Sequence, residues 1–340
     1  MDEKKANIVL QIDVHHNQTD WNQYLEEFSS KNIFQSYEWG ELKKKEDWDV
    51  LRILITRKLK PILLAQVLVK KVFGFKIAWC PGGPVLQTES SEVLESSLKK
   101  FREKIFAEKI FNLRCNPYIK NTDDNKKVFE QFSRPKYTLT SSKTILLEVK
   151  SGQEFLDSIR KKHRYYIKQA QKHTIDWKIL FGSEASESFL QIYEKMIKDK
   201  KLNYELIDIE SFSKLLGNTK DGEPRVFCLA GIKEGVPIAA CIISLLSDQA
   251  FYHYAASTNQ AREMSASYEM IYQLMKKLSA IGIRKLDFGG ISDDDSSEGV
   301  DFFKSGFNGT VFEKVGEFDI SKSGLQSYLF GKAIKFRYNK

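Results

Sequence analysis

The chain has 340 residues, with Lys plus Arg 53 against Asp plus Glu 45, a formal charge of +8 and a pI near 9.0. That length exceeds one compact core and suits two domains of ordinary size, and 42% hydrophobic with 29% charged residues excludes wholesale disorder. No apolar run reaches the ~20 residues of a membrane-spanning helix, and the opening MDEKKANIVLQIDVHHNQ lacks the apolar stretch of a secretory signal. Four cysteines, Cys80, Cys115, Cys228 and Cys241, show no C-x-x-C spacing, which disfavours a disulfide scaffold or a zinc site and fits a reducing compartment. The expectation is a cytoplasmic protein whose basic bias permits anionic partners without requiring them.

In chain order, residues 19–30 and 36–45 (TDWNQYLEEFSS, SYEWGELKKK) carry helical periodicity. Residues 50–72 alternate apolar and polar around a turn at Leu59–Pro61, which predicts a strand hairpin; a third strand follows in FKIAWCPGGPV. An amphipathic helix spans 90–109, and NLRCNP closes the first half as a short strand. In the second half, helical segments over 153–172 and 186–200 precede a hairpin turning at Lys233–Pro237, and a third strand runs through FYHYAAS. The helix SYEMIYQLMKKLSAIG and the strand RKLDFGG then follow. Two mixed α/β domains could match by chance, but the same order of helices, meander, helix and strand in both halves favours duplication. That order is the order of the acyl-CoA N-acetyltransferase fold. The expected fold class is α/β, a tandem pair of acetyltransferase-like (GNAT-like) domains with mixed, mostly antiparallel sheets flanked by helices.

Five segments in sequence carry a more specific resemblance. FQSYEWGELKKK (34–45), WCPGGPV (79–85), LDSIRKKHRYYIKQAQKH (156–173), LDFGG (286–290) and FFKSGFNG (302–309) resemble, in order and spacing, segments of the FemABX peptidyltransferases. The likeness extends from about residue 20 to the C-terminus, without the coiled-coil arm of some members. The resemblance implies transfer of an amino acid from aminoacyl-tRNA to the stem-peptide amine of a peptidoglycan precursor, nucleotide-linked (UDP) or lipid-linked. It implies no cofactor and no metal, and leaves open a peripheral contact with the inner face of the membrane. It divides the chain into a precursor-binding domain, 1–147 plus 317–340, and a tRNA-binding transfer domain, 148–316.

Aminoacyl transfer from ester to amine passes through a tetrahedral oxyanion and needs a donor for that charge, positioned substrates and a route for the amine's proton. No G-x-S-x-G elbow and no metal-ligand spacing occurs, and the ester needs no protein nucleophile. The histidines are dispersed apart from His15–His16, for which a solvated role is expected. By resemblance, Phe303 and Lys304 stabilise the oxyanion and position the terminal adenosine of tRNA; read alone, Lys304 is equally a snorkelling surface lysine, and Gly306 and Gly309 are turn residues rather than ligands. Lys43, one helical turn after Trp39, takes the precursor phosphates by resemblance; as part of the Lys43–Lys45 run it is equally a solvated charge, and Trp39 equally core. Lys161, Arg164, Lys168 and Lys172 form a basic stripe on one helix face, suited to a tRNA backbone or to plain solvation. Tyr252 and Tyr254 alternate along their strand, so their hydroxyls are expected on one side, lining the acceptor cleft by resemblance or serving as core. Asp287 could orient the amine or cap the following turn.

Two departures matter. The stretch Arg262–Ser267 lacks the glycines with which acyl-CoA enzymes cradle pyrophosphate, which disfavours CoA. In KLNYELIDIESF the aromatic is Tyr204, but Ile207 stands where the family usually carries arginine, so one phosphate goes without its partner or passes to Lys200 or Lys201. The leading expectation is the aminoacyltransferase; the alternatives are an acyl-CoA-dependent N-acyltransferase and a non-catalytic tRNA- or precursor-binding module.

Overall fold

The start of the chain folds as β1 (Gln11–Val14), helices α1 (Gln18–Glu26) and α2 (Tyr37–Lys44), and strands β2 (Asp49–Arg57), β3 (Lys60–Val72) and β4 (Phe75–Cys80). The short β5 (Val85–Leu86), helix α3 (Ser91–Ala107), β6 (Ile110–Cys115) and helix α4 (Asp123–Phe129) follow. The structure, a computed structural model, describes residues 10–14, 17–87, 90–200, 207–222, 224–291 and 298–338. Residues 1–142 with 313–340 form one compact unit and residues 143–312 a second.

The sheet of the first unit runs β1-β2-β3-β4-β6 and ends on β14 (Phe318–Ser321), with β5 beside β3. Among its described pairings only β4 with β6 is parallel; the others are antiparallel. Helix α3 makes the crossover that the parallel pair requires. Its Leu94, Leu98, Phe101 and Ile105, spaced by one helical turn, pack on Ile53, Ile55, Leu63, Ala65 and Val67, the inward residues of β2 and β3. The returning β14 is fixed to β6 by a fully buried, bidentate pair, Arg114 to Asp319, at 2.9 and 3.0 Å. Helix α12 (Gly324–Tyr338) ends the described chain.

The second unit opens with β7 (Lys143–Glu148), α5 (Gly152–Ser158), α6 (Lys161–Ala170), β8 (Asp176–Leu180), α7 (Gly182–Lys200) and α8 (Ile209–Leu216). Strands β9 (Val226–Lys233), β10 (Val236–Leu246) and β11 (Gln249–Ser257), helices α9 (Asn259–Glu263) and α10 (Ala266–Ala280), β12 (Lys285–Ile291), α11 (Glu298–Ser305) and β13 (Thr310–Glu313) complete it. Its sheet is ordered β13-β7-β12-β11-β10-β9-β8, and only β11 with β12 is parallel among its described pairings. Each unit thus holds an antiparallel meander, a helix and a strand parallel to the meander's last strand, the repeat read from the sequence. Phe155, Ile159, Ile167 and the apolar side of α10 form one core with the sheet residues Cys241, Ile243 and Leu245.

One expected helix is two. Residues 153–172 break at Ile159 and Arg160, both extended (ψ 163 and 145). Tertiary contacts override helix propensity there: Ile159 is buried at 2% exposure, and the Arg160 N–H donates to the Gly306 carbonyl at 3.0 Å.

Candidate active site

The parallel register of β11 and β12 runs from Gln249–Lys285 to Phe251–Asp287; beyond it, β12 pairs with β7 at Gly290–Thr144 and Ile291–Lys143. Pairing between β11 and β12 therefore stops at Phe251 and Asp287, the third residue of each strand, although both strands continue; the two parallel strands part there and leave a gap in the sheet. Lys304, in the last turn of α11, projects to this point. Its Nζ donates to the Gly290 carbonyl at 2.8 Å and stands 5.7 Å from the centre of the Phe288 ring. Gly289 has φ +82, the left-handed region that favours glycine, and the site of its absent Cβ lies 3.3 Å from Nζ, which places the ammonium directly against this backbone. Burial lowers the Lys304 ammonium from its ordinary pKa, while the Asp287 and Asp301 carboxylates act in the opposite direction.

Asp287 is buried, and its Oδ1 accepts from Thr144 Oγ1 at 2.5 Å and from the Gly289 N–H at 2.9 Å. The bond to the Gly289 N–H is the turn-capping contact weighed from sequence, and the carboxylate also acts on the lysine through its charge.

Phe303 sits in an aromatic cluster, its ring centroid 5.0 Å from Tyr268, 5.2 Å from Phe307 and 6.0 Å from Phe288. Beneath it lies His163, fully buried, with Nε2 2.9 Å from the Phe303 carbonyl oxygen. Burial lowers the imidazole's pKa, the bond to Phe303 opposes that, and Arg160 and Lys162 lower it further. A neutral imidazole donating from Nε2 satisfies the carbonyl. A Cβ on Gly306 would overlap Cε1 of His163. Gly306 does lie in the turn that follows α11, and Gly309 just after it, but the left-handed residue there is Asn308, at φ 55, while a Cβ on Gly309 would come within 2.4 Å of Ile145. Close approach, not backbone freedom, requires both.

The tyrosine pair does not share a side. A bulge between Ile242 and Ile243 inserts His253 into β11, so Tyr252 pairs with Ile243 and Tyr254 with Ile242. Tyr252 joins the α10-side core and packs on Phe288 at 4.9 Å, its phenol pKa pushed up by burial. Tyr254 faces Phe189 and Tyr193 of α7. Of the two, only Tyr252 borders the lysine, its carbonyl 3.6 Å from where a Gly289 Cβ would stand.

The basic stripe divides as well. Lys161, Lys168 and Lys172 are exposed, whereas Arg164 turns inward and donates to the carbonyls of Leu156 and Ile159 at 3.1 and 2.6 Å. Those are carbonyls at the end of α5, so Arg164 fastens the helix break and is not part of an open stripe. In the first unit, Lys43 and Trp39 share a face: Nζ lies 5.2 Å from the indole centre and 2.7 Å from Glu46 Oε2. Trp39 is itself buried, edge-on to Phe34 at 4.9 Å. Arg262–Ser267 forms the end of α9 and the start of α10, with Ser265 at φ 56 in place of a glycine, and Ile207 is buried at 6% exposure. His15, His16, Lys201, Tyr204 and the Lys200 side chain lie outside the described residues. Among the described residues, no group of three or more His, Cys, Asp and Glu side chains could hold a metal ion.

The site thus gathers Lys304, Phe303, Asp287 and Tyr252 from the expected set and adds Thr144, His163, Tyr268 and Phe288, which sequence reasoning missed. Comparison with known proteins agrees with this reading of the fold. The FemAB family profile matches residues 17–142 and 229–335. The chain belongs to the FemAB family. It is similar to the lipid II:glycine glycyltransferase of Staphylococcus aureus, 21% identical with 90% of this chain and 92% of that protein covered. The crystal structure of FemX superposes with a TM-score of 0.77 at 18% identity, covering 92% of this chain and 97% of the other. A tandem GNAT protein from the clavulanic acid biosynthesis pathway superposes at 0.53, 7% identical, covering 93% and 100%. Two acetyltransferase-like sheets in one chain are therefore the fold of this FemAB-family member.

Proposed function

We propose that this FemAB-family protein is an aminoacyltransferase that moves an amino acid from aminoacyl-tRNA to the stem-peptide amine of a peptidoglycan precursor, building the interpeptide bridge in the cytoplasm. The observation that carries the reading is Lys304, a half-buried cation aimed at the point where β11 and β12 stop pairing, within a FemAB-matched segment. The acceptor amine attacks the ester carbonyl, the carbonyl oxygen takes negative charge, and the tetrahedral intermediate expels the ribose hydroxyl. The proton released by the amine leaves on that hydroxyl, so no protein nucleophile is consumed. A fixed ammonium near the forming oxyanion supplies the differential stabilisation that the step needs.

In this reading the second unit binds the tRNA through the exposed Lys161, Lys168 and Lys172 and performs the transfer. The first unit holds the precursor, with Lys43 exchanging Glu46 for a phosphate beside Trp39. The domain roles follow the expected division with its boundaries moved from 147/148 and 316/317 to 142/143 and 312/313, because β7 pairs within the second sheet. A lipid-linked acceptor is favoured by the name of the Staphylococcus aureus relative, and a hydrophobic Ile207 removes one of the phosphate contacts expected for a nucleotide-linked one.

The test offers a pool of charged tRNAs with lipid-linked and nucleotide-linked precursors in turn and follows transfer of labelled amino acid. Transfer to the lipid-linked form is expected. Failure with every acceptor, together with heat released on titrating coenzyme A, would replace the reading with an acyl-CoA transferase; failure with both would leave a binding module.

A further inference from the structure

The β3–β4 hairpin of the first unit ends in a two-residue turn, Phe73–Gly74, with φ 48 and 82. Such turns favour Asn or Asp at the first position, because a bulky side chain at positive φ is sterically disfavoured. Here that position carries a phenylalanine, and its side chain is 97% exposed. Phe75, on the far side of the turn, is 57% exposed and leans on Phe111, with ring centroids 5.1 Å apart. A surface hollow of about 370 Å³ adjoins these rings; Lys71, Lys76, Lys109 and Lys322 line it, and among the described residues no acidic side chain does. The nearby Glu108 carboxylate is held by Lys104 at 2.6 Å, and its carbonyl by Lys76 at 3.1 Å. The corresponding turn in the second meander is Ser247–Asp248, polar and acidic, so the aromatic tip is not demanded by the architecture.

We infer that this hairpin is a docking element for a bilayer surface bearing anionic lipids. Phe73 and Phe75 enter the headgroup–acyl boundary, and the four lysines meet lipid phosphates. Exposed aromatics ringed by lysines on a short projecting turn match the chemistry of an interface, where apolar burial and charge attraction act together. The inference rests on the proposed function in one respect: a lipid-linked acceptor would keep the substrate at that surface.

The full-length protein is sedimented with vesicles of phosphatidylcholine alone, or with phosphatidylglycerol added, in the absence of tRNA and acceptor. Pelleting only with the anionic vesicles is expected, weakening as salt rises. Phe73→Asn suits the turn better than the native residue, so it folds; it should weaken partitioning by about tenfold or more, the effect of withdrawing a buried phenyl group. Lys71→Glu with Lys109→Glu should weaken it by roughly fivefold or more per site. Leu59→Ser, at the 83% exposed tip of the β2–β3 turn, should leave partitioning unchanged. No binding to anionic vesicles, or wild-type binding by Phe73→Asn, overturns the inference. If, in a separate filter-binding assay, these variants lose tRNA while their vesicle binding stays intact, the inference is also overturned, in favour of an RNA surface. Because the vesicle assay contains no substrate, vesicle binding by a protein without transferase activity would remove the proposed function and leave the docking surface standing.

Discussion

His163 Nε2 and the Phe303 carbonyl oxygen stand 2.9 Å apart across 140 residues of sequence, and Phe303 immediately precedes Lys304. The imidazole thus holds the backbone from which the candidate catalytic ammonium extends. It is also the reason that position 306 is glycine, since a Cβ there would overlap the ring. Gly306→Ala should destabilise the second unit by about 1–3 kcal/mol, the range for overpacking a filled site, and should lower single-turnover kcat more than it raises KM. His163→Ala should also lower kcat. In the double variant the added methyl occupies the space that the ring vacates, so urea midpoints should fall by less than the sum of the singles. Strict additivity would mean that the ring and the glycine do not constrain each other.

The two meanders, their crossover helices and the parallel strands were legible because alternation and helical periodicity are local signals. The bulge at His253 was not: one extra residue sends Tyr252 and Tyr254 to opposite faces, and nothing in FYHYAAS marks which residue is extra. The break at Ile159–Arg160 was equally hidden, since its cause is a bond to Gly306 from residues that are locally content in a helix. Lys304 was readable only by resemblance, because a lysine beside two phenylalanines has no periodic signature. His163 and Thr144 carried no signal, as their partners Phe303 and Asp287 lie far along the chain.

For tRNA, the inward turn of Arg164 separates two effects that one stripe would have merged. Reversing Lys161, Lys168 and Lys172 to Glu should weaken tRNA binding for all isoacceptors and flatten its salt slope by roughly one unit for each phosphate no longer neutralised, with the unfolding midpoint unchanged. Arg164→Ala should instead lower stability by about 1.5–3 kcal/mol, since charge-assisted bonds to two carbonyls disappear. An unchanged salt slope in the triple variant would remove the tRNA assignment.

For the acceptor, Lys43→Ala should raise KM while tRNA affinity stays constant. One charge-assisted phosphate bond is worth ~1.5–3 kcal/mol. The released Glu46 is exposed enough to be solvated, so folding should be little affected. A change confined to tRNA affinity would reverse the roles given to the two units.

His253 predicts an acid limb in stability. Burial lowers its pKa from the ordinary 6.5 to about 4, with Ser244 Oγ 2.6 Å from Nε2. Between those values the unfolded chain binds a proton that the folded chain refuses, so stability rises with pH there. The contribution is complete above pH 6.5 and disappears as pH falls towards about 4. His163, shifted in the same direction, adds to it. Urea unfolding of wild type across this window should lose about 2–3 kcal/mol more than the His253→Gln variant. Parallel curves for the two proteins would show that the imidazole titrates normally when folded.

The chemical step tests Lys304 most directly. Its Nζ rests on the Gly290 carbonyl and over the Phe288 ring, so the charge is fixed before substrate arrives. A preplaced ammonium in a partly dried site attracts developing negative charge far more strongly than one in water, and needs no reorganisation as the oxyanion forms. Lys304→Met keeps most of the apolar stem and removes the charge. Removing it also relieves the burial that lowers this group's pKa, so thermal stability should be unchanged or slightly higher. With saturating aminoacyl-tRNA and acceptor, single-turnover rates should fall by ~10²–10³, the range for deletion of one oxyanion donor, and acceptor KM should hold. Lys304→Arg should recover little, because a planar guanidinium spreads its charge over a wider fork and cannot occupy the single point that Nζ takes on the Gly290 carbonyl. If Lys304→Met stays within a few-fold of wild type, the lysine serves only to bind the Gly290 carbonyl, and charge stabilisation must come from another group at the end of β12.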